Sequence, residues 1–384
     1  MKSFAKLKYV FLIVLAYALA PIISVLLSIR RRQGEHSVSP KIIVFPQMTR
    51  IGDLVCATPV FRAIKEHYPQ AHLTVFVSVI PWEIIKHNHR IDEIILYEKE
   101  NIYLGLTGAF RLFRKIQRDK YDWAFILTNN FFHTLIAYFG LIPRRVKTVI
   151  SGRTLFERLT DWFNSVKVFY RHHTYLPRHY LRLLEPLGIM DAEEIQEVFV
   201  SEEGEKKAAQ FLAANGIKTG KTLIGISIGA GNKIKEWGDE KFTQLAQSLS
   251  RDDTIIVFVG SRSDESRIDA IIDRTKSIRI IKAVDFSIEF LPSLLKRLKL
   301  FVSVDTGPLY VAHALGLPVV DIIGPVDPRE QPPQDEKSVL ILPPPHIQPS
   351  SFVMKLSGRS QEHERAVRSI TVEAVVKGVE KLIL

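Results

Sequence analysis

Residues 41–68 read KIIVFPQMTRIGDLVCATPVFRAIKEHY and contain, in order, an apolar run, a turn and an amphipathic segment. Lys41–Pro46 predicts a short β-strand, and Leu54–Tyr68 carries apolar residues at helical spacing. The turn between them, Arg50-Ile51-Gly52-Asp53, holds a glycine and a carboxylate where the strand gives way to the helix. Open α/β sheets bind their ligands at such junctions, so the stretch predicts a doubly wound α/β fold with a site at this turn.

The glycine and the carboxylate of this turn have separate expected roles. Gly52 permits a tight turn and the close approach of a ligand to the backbone. Asp53 lies at or near the start of the helix, where it can cap the helix, act as a general base, or do both. Taken alone, the tetrapeptide fits simple capping as well as it fits chemistry.

A second turn of the same kind lies far along the chain. Val304-Asp305-Thr306-Gly307-Pro308 ends the strand-like run Leu300–Val304 and precedes the helical stretch Leu309–Leu317. Its hydroxyl, its glycine and the amides of the helix start suit phosphate oxygens. Asp-Thr-Gly also marks aspartic proteases, but those enzymes need two copies in β structure. The single copy here leads into a helix, which argues against a protease.

The loop after the strand-like run Thr222–Ile228 is rich in glycine and lysine. It reads GAGNKIKEWG, and Gly229, Gly231, Lys233 and Lys235 together suit a phosphate-bearing ligand, although a solvated basic loop would look the same. The overlapping GISIG matches the nucleophile elbow of hydrolases. Because its serine lies within the strand and not in the turn, the match does not favour a hydrolase.

The segment Gly260–Glu265 (GSRSDE) ends another strand-like run, Thr254–Gly260. An acidic residue at such a strand end can hydrogen-bond ribose hydroxyls or a base amine in nucleotide sites. Four strand ends of the second half of the chain, near Gly229, Gly260, Ala283 and Asp305, are expected to converge on one edge of a sheet. We therefore expect a nucleotide-type ligand at this edge.

Strand-like and helix-like segments alternate along most of the chain, with a weaker pattern at 151–200. This order implies parallel sheets joined by right-handed crossovers. The predicted organisation is a membrane anchor and linker (1–40), two Rossmann-like domains (41–200 and 201–345), and a proline-rich connection with a C-terminal helix (346–384).

The N-terminus contains an uncharged run, Tyr9–Ile29, of about 21 residues, enough for a helix to cross a bilayer. Lysines precede the run and Arg30-Arg31-Arg32 follow it, which leaves the orientation ambiguous with a tilt toward a cytoplasmic body. Ala18-Leu19-Ala20 resembles a signal-peptide cleavage site, but the apolar run continues past it and Pro21 follows. The sequence therefore predicts an uncleaved transmembrane helix, which Pro21 can kink.

Charge and cysteine content limit the classes of partner. The net charge of +11, from 52 Lys+Arg against 41 Asp+Glu, indicates nucleic acid, phosphate ligands or anionic lipid. No basic helix with interleaved stacking aromatics is present, so nucleic acid is not expected. The single cysteine, Cys56, excludes a disulfide framework and a cysteine-rich zinc site, and no His/Asp cluster has convincing ligand spacing. We expect no bound metal.

Four collinear segments of the chain, within about residues 41–330, resemble glycosyltransferase family 9, the heptosyltransferases of lipopolysaccharide core synthesis. They are RIGDLVCATPVFRAIKEHYPQAHLTVFV, IGAGNKIKEWGDEKFTQLAQSL, GSRSDE and SVDTGPLYVAHALGLPVVDIIGPVDP. The resemblance implies a GT-B fold, in which the first Rossmann-like domain binds the acceptor and the second binds an ADP-sugar across a cleft. It implies no cofactor.

The resemblance also assigns roles to residues. Asp53 matches the proposed catalytic aspartate of the family, with Gly52 beside it, and Lys235 matches the lysine that contacts the donor phosphates. The mechanism expected is inverting transfer, in which Asp53 takes the proton of an acceptor hydroxyl while Lys235 and the turn amides stabilise the leaving diphosphate. The donor-binding set comprises Gly52, Gly229, Gly231, Lys233, Glu265, Asp305, Thr306, Gly307 and Tyr310.

Within these segments the chain departs from the family pattern at two places. Tyr310 stands where the family usually has a histidine, and Lys235-Glu236-Trp237-Gly238 replaces the usual Lys-x-Trp-Pro. The nearest histidine, His313, is expected to pack on its own helix. The alternative function is an inactive family member that binds a nucleotide sugar or scaffolds envelope glycan assembly.

The partners expected for the chain are a nucleotide-sugar donor, a lipid-linked glycan acceptor and a membrane. The location expected is the bacterial inner membrane, with a single-pass N-terminal anchor and the catalytic body on the cytoplasmic side.

Overall fold

The computed structural model describes residues 2–33, 39–97, 105–217, 220–275, 279–284, 286–347 and 361–383. The chain divides into two compact units, unit 1 (Met1–Trp82 with Asn88–Ile195) and unit 2 (Glu83–His87 with Gln196–Leu384). Most of the predicted linker at 33–40, and the end of the proline-rich stretch 343–349 with the residues after it up to 360, lie outside the described residues.

Unit 1 is built on a six-stranded parallel sheet. The strand order is β3-β2-β1-β4-β5-β6, so β1 pairs with β2 on one side and with β4 on the other. This is the doubly wound order of dinucleotide-binding folds, in which β1 and β4 flank the switch point. The strands are β1 (Lys41–Phe45), β2 (His72–Val77), β3 (Glu93–Leu96), β4 (Trp123–Ile126), β5 (Arg144–Val149) and β6 (Val166–Phe169).

The helices of unit 1 cover both faces of this sheet. One face buries Ile43, Phe45 and Ile126 against α6 (Gly105–Asp119) and α7 (Phe131–Phe139), and nearly every side chain of α7, an apolar helix, is buried. A helix that is apolar all round needs cover on all sides. The helices are α1 (Lys2–Ala18), α2 (Ala20–Gln33), α3 (Ile51–Val55), α4 (Thr58–His67), α5 (Val79–Ile85), α6 (Gly105–Asp119), α7 (Phe131–Phe139), α8 (Leu155–Asp161) and α9 (Leu176–Arg182).

The structure does not support the single membrane-spanning helix expected at Tyr9–Ile29. The segment forms two helices, α1 and α2, bent by 68° at a break around Leu19, two residues before Pro21. A proline lacks the amide hydrogen that would continue the helical ladder, and its ring clashes with the preceding turn. Among the described residues no single helix is both long and apolar enough to cross a bilayer, whereas the bent pair could do so by length and composition.

The cover that α7 requires comes from α1. Leu12 and Ala16 of α1 are fully buried in the same core as α7, and Tyr9 packs edge-on against Phe131 with ring centroids 5.0 Å apart. Arg30 of α2 donates to the carbonyl oxygen of Leu141 at 2.8 Å, which ties the second helix to the end of α7. The helix pair is therefore an integral layer of unit 1.

Unit 2 repeats the same strand order on a second parallel sheet. The order β12-β11-β10-β7-β8-β9 places β7 and β10 side by side at the centre, with β8 beyond β7 and β11 beyond β10. The strands are β7 (Thr222–Ser227), β8 (Thr254–Val259), β9 (Ile280–Ala283), β10 (Leu300–Val304), β11 (Val319–Ile322) and β12 (Ser338–Ile341). The sequence therefore correctly predicted two parallel α/β domains.

The C-terminal helices belong to the core of unit 2. Val367, Val375 and Val379 are buried against the sheet, and the indole of Trp237 donates to the carbonyl oxygen of Ile370 at 2.9 Å. The helices of this unit are α10 (Glu202–Ala214), α11 (Asp239–Ser248), α12 (Glu265–Arg274), α13 (Leu291–Leu295), α14 (Gly307–Ala314), α15 (Gln361–Ser369) and α16 (Val372–Ile383).

Candidate functional site

The predicted site residues other than Glu265 lie at the switch point of the sheet in their own unit. In unit 1 the turn Arg50–Asp53 follows β1, and in unit 2 the loop that begins at Gly229 follows β7 while Asp305 follows β10. At a switch point the neighbouring connections leave in opposite directions and open a crevice at the carboxyl ends of the strands. The topology of each unit thus supplies a crevice where the sequence predicted one.

Asp53 is the third residue of the short helix α3 and is not its N-cap. Arg50 occupies the cap position without a side-chain cap bond, so the simple capping role considered from the sequence does not hold. The Asp53 side chain is 9% exposed, and Arg50 Nη1 lies 3.9 Å from its Oδ2. The charge of Asp53 also acts on the fully buried Tyr180: burial is the main cause that raises the pKa of Tyr180, and the Asp53 charge is the second. The Asp53 carboxylate is thus largely buried in the turn that follows β1.

A buried charged cluster lies near the carboxyl ends of β4 and β5 in unit 1. Lys147 is 1% exposed, and its ammonium lies 3.3 Å from Asp161 Oδ1, while Arg153 Nη1 lies 2.6 Å from Asp161 Oδ2. Burial lowers the pKa of Lys147, and it lowers that of the neighbouring His133 to about 3. One carboxylate thus neutralises two cations next to the unit 1 crevice. The sequence analysis did not identify this cluster.

In unit 2, Asp305 holds Lys235 and Tyr310 together. Lys235 Nζ donates to Asp305 Oδ2 at 2.5 Å and to the Asp305 carbonyl oxygen at 3.3 Å. The Tyr310 hydroxyl donates to the other carboxylate oxygen, Oδ1, at 2.5 Å. Since an ammonium has three protons, these bonds leave Lys235 one donor for a phosphate oxygen. Three residues predicted from two separate segments therefore form one cluster.

Asp321 is a member of this cluster that sequence reasoning missed. It lies opposite Ser303 in the β10–β11 register, on the sheet face that α14 covers, and it is 0% exposed. Neither of its carboxylate oxygens has a hydrogen-bond partner among the described residues. Burial is the main cause that raises the pKa of Asp321 well above its ordinary value, and the negative charge of Asp305 raises it further. The positive charge of Lys235 lowers it, but by less. An aspartate inside the apolar strand VVDI is the sequence signal that marks it.

The glycine-containing loop after β7, residues 229–238, is closely packed at its first residue, Gly229. A β-carbon on Gly229 would lie 2.5 Å from Asp264 Oδ1, so the loop passes directly over that carboxylate. Asp264 in turn accepts from the amide and the hydroxyl of Ser261, at 2.9 and 2.7 Å. By contrast, Gly231 has open space around the same position, and Lys233 is exposed. Of these two loop glycines, Gly229 is the one that the packing requires.

Glu265 lines a cavity of about 270 Å³ at the ends of β8 and β9. The other lining residues are Phe211, Lys282, Val284 and Phe286, and the two phenylalanine rings meet edge-on with centroids 5.4 Å apart. Glu265 also pairs with Lys282 at 3.0 Å. Aromatic walls with one acid and one base suit a flat heterocycle that carries both donors and acceptors.

The remaining residues of the second turn form the start of α14. Thr306 is its N-cap in extended conformation, without a side-chain cap bond, and Gly307 is its first residue. The helix-start amides therefore lie beside the cluster of Asp305 and Lys235, where an anion would be favoured.

The two departures from the family pattern have structural correlates. Tyr310 fills its position with a hydroxyl that binds Asp305, and His313 does not replace the usual histidine, because its Nε2 lies 3.0 Å from Asp335 Oδ2. Gly238 has φ of +113°, a conformation closed to the proline it replaces, whose ring fixes φ near −65°. The chain therefore enters α11 differently from the usual motif.

Comparison with known proteins identifies the family. The model of glycosyltransferase family 9 (heptosyltransferase) matches residues 109–354. Lipopolysaccharide heptosyltransferase 3 of Escherichia coli K12 is 26% identical over 72% of this chain and 80% of its own length. Lipopolysaccharide heptosyltransferase 2 of Salmonella typhimurium is 25% identical over 76% and 85%.

Solved structures share the fold at lower identity. A glycosyl transferase family 9 protein from Veillonella parvula superposes with a TM-score of 0.75 at 21% identity, covering 90% of this chain and 97% of its own. The Escherichia coli ADP-heptose lipopolysaccharide heptosyltransferase II gives 0.69 at 19% identity, with coverages of 89% and 98%. With the family match over most of its length and this shared fold, the chain belongs to glycosyltransferase family 9 and is a glycosyltransferase.

Proposed function

We propose that this glycosyltransferase moves a heptose from ADP-heptose onto the core of lipopolysaccharide or a related lipid-linked glycan, with inversion at the anomeric carbon. The relatives reported above are heptosyltransferases of lipopolysaccharide by name, and they match this chain over most of its length. The observation that carries the proposal is the cluster of Lys235, Asp305 and Tyr310 at the unit 2 switch point, beside the start of α14.

The cluster has the properties required to hold a departing diphosphate. Lys235 retains one N–H donor, and α14 begins at Gly307, two residues after Asp305, so the positive end of its helix dipole lies beside the cluster. Donors fixed before the reaction stabilise developing negative charge without further reorganisation. The cavity beside Glu265 would take the adenine, with Phe211 and Phe286 against its faces or edges. Gly229, Gly231 and Lys233 would border the phosphates.

The acceptor half of the reaction is assigned to Asp53. Its carboxylate would take the proton of the acceptor hydroxyl as that oxygen attacks the anomeric carbon, and Gly52 would let the sugar approach the backbone. The pairing of Arg50 with Asp53 is long, at 3.9 Å, and Arg50 is half exposed. The Asp53 side chain is only 9% exposed and lies in the turn that follows β1, at the edge where such sheets bind their ligands, which supports a role as the base.

The proposal places the protein at the bacterial inner membrane with its catalytic body on the cytoplasmic side. Arg30, Arg31 and Arg32 lie in the last turn of α2, and the cytoplasmic leaflet is anionic. A lipid-linked acceptor would be found more readily by an enzyme held at the same surface.

The test is sugar transfer by the purified chain from ADP-heptose to lipopolysaccharide that lacks the accepting heptose, followed by ADP release. We expect Asp53→Asn to lower kcat by about 10²- to 10⁴-fold, because a general base contributes that much. Asp191→Asn, at an exposed aspartate of the same unit, is the matched control. Equal turnover by Asp53→Asn and the control would remove Asp53 as the base.

A panel of nucleotides tests the donor class separately. Ligands that bind only the folded state raise the unfolding temperature, so ADP and ADP-heptose should stabilise the chain more than the UDP and GDP analogues. Equal stabilisation by all three bases would contradict the assignment of the Glu265 cavity to adenine. No product from any donor, together with selective binding of ADP-heptose, would favour the inactive family member.

A further inference from the structure

The N-terminal helices α1 and α2 carry two apolar faces, of which unit 1 covers only one. The covered face includes Leu12, Ala16 and Ile23, which are 0%, 0% and 6% exposed. The opposite face, here called the outer face, consists of large apolar side chains that are 41–67% exposed. Its members are Leu7, Val10, Phe11, Val14 and Tyr17 on α1, and Ile22, Val25, Leu26 and Ile29 on α2.

The outer face is a continuous stripe on each helix. The members on α2 recur at positions i, i+3, i+4 and i+7, and four of those on α1 do the same, which places them along one side of each helix. Two more exposed apolar residues lie at the ends of α8, which packs beside α1: Leu155 at 66% and Trp162 at 75% exposure. Scattered exposed apolar residues are ordinary, but a stripe of this extent marks an interaction surface.

The charge around the outer face indicates what covers it. Residues 1–34 contain six lysines and arginines and no acidic residue, and Arg31 and Arg32 are exposed at the end of α2. A second copy of the chain would set this positive charge against itself, whereas an anionic lipid surface neutralises it. Trp162 and Tyr17 are of the residue types that favour the boundary between lipid and water.

We infer that the outer face lies in the plane of one leaflet of an anionic membrane, so that α1 and α2 bind the bilayer surface without crossing it. Helix α1 packs along α7 and α8, and the Tyr17 hydroxyl donates to the carbonyl oxygen of Leu159 in α8 at 2.7 Å. The helix cannot cross a bilayer without carrying these elements with it. A helix with one face on protein and one on lipid, flanked by cations, is the pattern of interfacial attachment.

The inference extends the proposed lipid-linked acceptor, but it is tested by lipid binding and not by sugar transfer, so the two can fail separately. The full chain is mixed with vesicles of phosphatidylcholine containing one quarter phosphatidylglycerol and floated in a density gradient. We expect the wild type to float, and Leu7→Gln/Val14→Gln/Ile22→Gln/Val25→Gln to remain at the bottom. These positions are exposed, so the variant should keep the wild-type circular dichroism and unfolding temperature.

Matched controls separate lipid binding from general loss of apolar surface. Met190→Gln/Ile195→Gln removes two exposed apolar side chains elsewhere in unit 1 and should float like the wild type. Arg31→Gln/Arg32→Gln should weaken binding to these vesicles by about 30-fold, since each basic residue near an anionic surface contributes about fivefold. Binding to pure phosphatidylcholine should be weaker for every variant that retains the arginines.

Trp162 offers a spectroscopic readout of the same surface. Lipids brominated near the head group should quench its fluorescence on vesicle binding, and Trp162→Phe should lose most of that quenching. The inference is overturned if the wild type fails to float, or if the outer-face variant floats equally well. It is also overturned if, without lipid, the wild type is a dimer that the outer-face variant converts to a monomer, because a second copy then covers the face.

Discussion

Replacing Asp321 by asparagine should make the stability of unit 2 less dependent on pH. The Asp321 carboxyl is fully buried, lacks hydrogen-bond partners among the described residues and lies near the Asp305 charge, so its pKa in the folded state is raised well above the ordinary value. In the unfolded chain it ionises near pH 4. Between those two pKa values the folded state keeps a proton that the unfolded state releases, so stability falls as pH rises.

The magnitude follows from linkage. One proton of difference costs about 1.4 kcal/mol of unfolding free energy per pH unit, from about pH 4 up to the raised pKa of Asp321. Asparagine does not titrate, so the free energy of the variant relative to wild type should increase by about that amount per unit over this range. Below about pH 4 the relative free energy should be lowest, because the wild-type carboxyl is then protonated in both states.

The assay is urea unfolding at pH 5, 6, 7 and 8, followed by the fluorescence of Trp237, the tryptophan in the core of unit 2. The three other tryptophans lie in unit 1 and are replaced by phenylalanine in all proteins compared. Asp252→Asn, at an exposed aspartate of unit 2, is the control and should show a nearly constant difference from wild type. The reasoning is refuted if Asp321→Asn gives the same flat difference, since Asp321 would then be ionised in the folded state.

Three further substitutions test individual contacts. Tyr310→Phe removes the hydroxyl bound to the buried Asp305 carboxylate and should lower the unfolding free energy by about 2 kcal/mol and weaken ADP binding. Gly229→Ala places a β-carbon 2.5 Å from Asp264 Oδ1 and should cost about 1–3 kcal/mol in unit 2. Gly140→Ala, whose β-carbon would lie 2.3 Å from a Cγ2 atom on α6, should destabilise unit 1 similarly. Urea denaturation measures all three.

The space around Gly231 provides the control for the glycine substitutions. A β-carbon there meets no atom within 4 Å, so Gly231→Ala should change the unfolding free energy of unit 2 by less than about 0.5 kcal/mol. A loss at Gly231 as large as that at Gly229 would show that loop flexibility, and not the contact with Asp264, determines the effect. For Tyr310→Phe, unchanged stability would mean that the hydroxyl contributes nothing to holding Asp305.

The fold was predictable because its signal is local. Runs such as KIIVFP, TLIGISI and TIIVFVG are apolar on both faces, which is typical of strands in parallel sheets covered by helices on both sides. The strand order was not predictable in the same way, because it depends on which strands pair across long separations. The turns at Asp53 and Asp305 were found because strand ends carry site residues in such sheets.

The errors came from contacts between distant segments. The composition of Tyr9–Ile29 predicted a membrane-spanning helix. Composition alone does not show that α7 is apolar on all sides and is covered by α1. Asp321 was missed because a single carboxylate inside a strand matches no motif. Its raised pKa depends on the neighbouring strand β10, where Ser303 lies opposite Asp321 and Asp305 directly follows the strand end. The roles proposed for Asp53, Lys235 and the donor-binding residues remain predictions.

The packing of α1 on α7 can form only after α7 has been synthesised. Helix α1 leaves the ribosome well before α7 and α8, whose side chains will cover its inner face, have been made. At about 5–20 residues per second, a separation of roughly 100 residues corresponds to an interval of about 5–20 seconds. During that interval both apolar faces of α1 are open, so whatever binds the nascent chain first, lipid or chaperone, acts before unit 1 can fold.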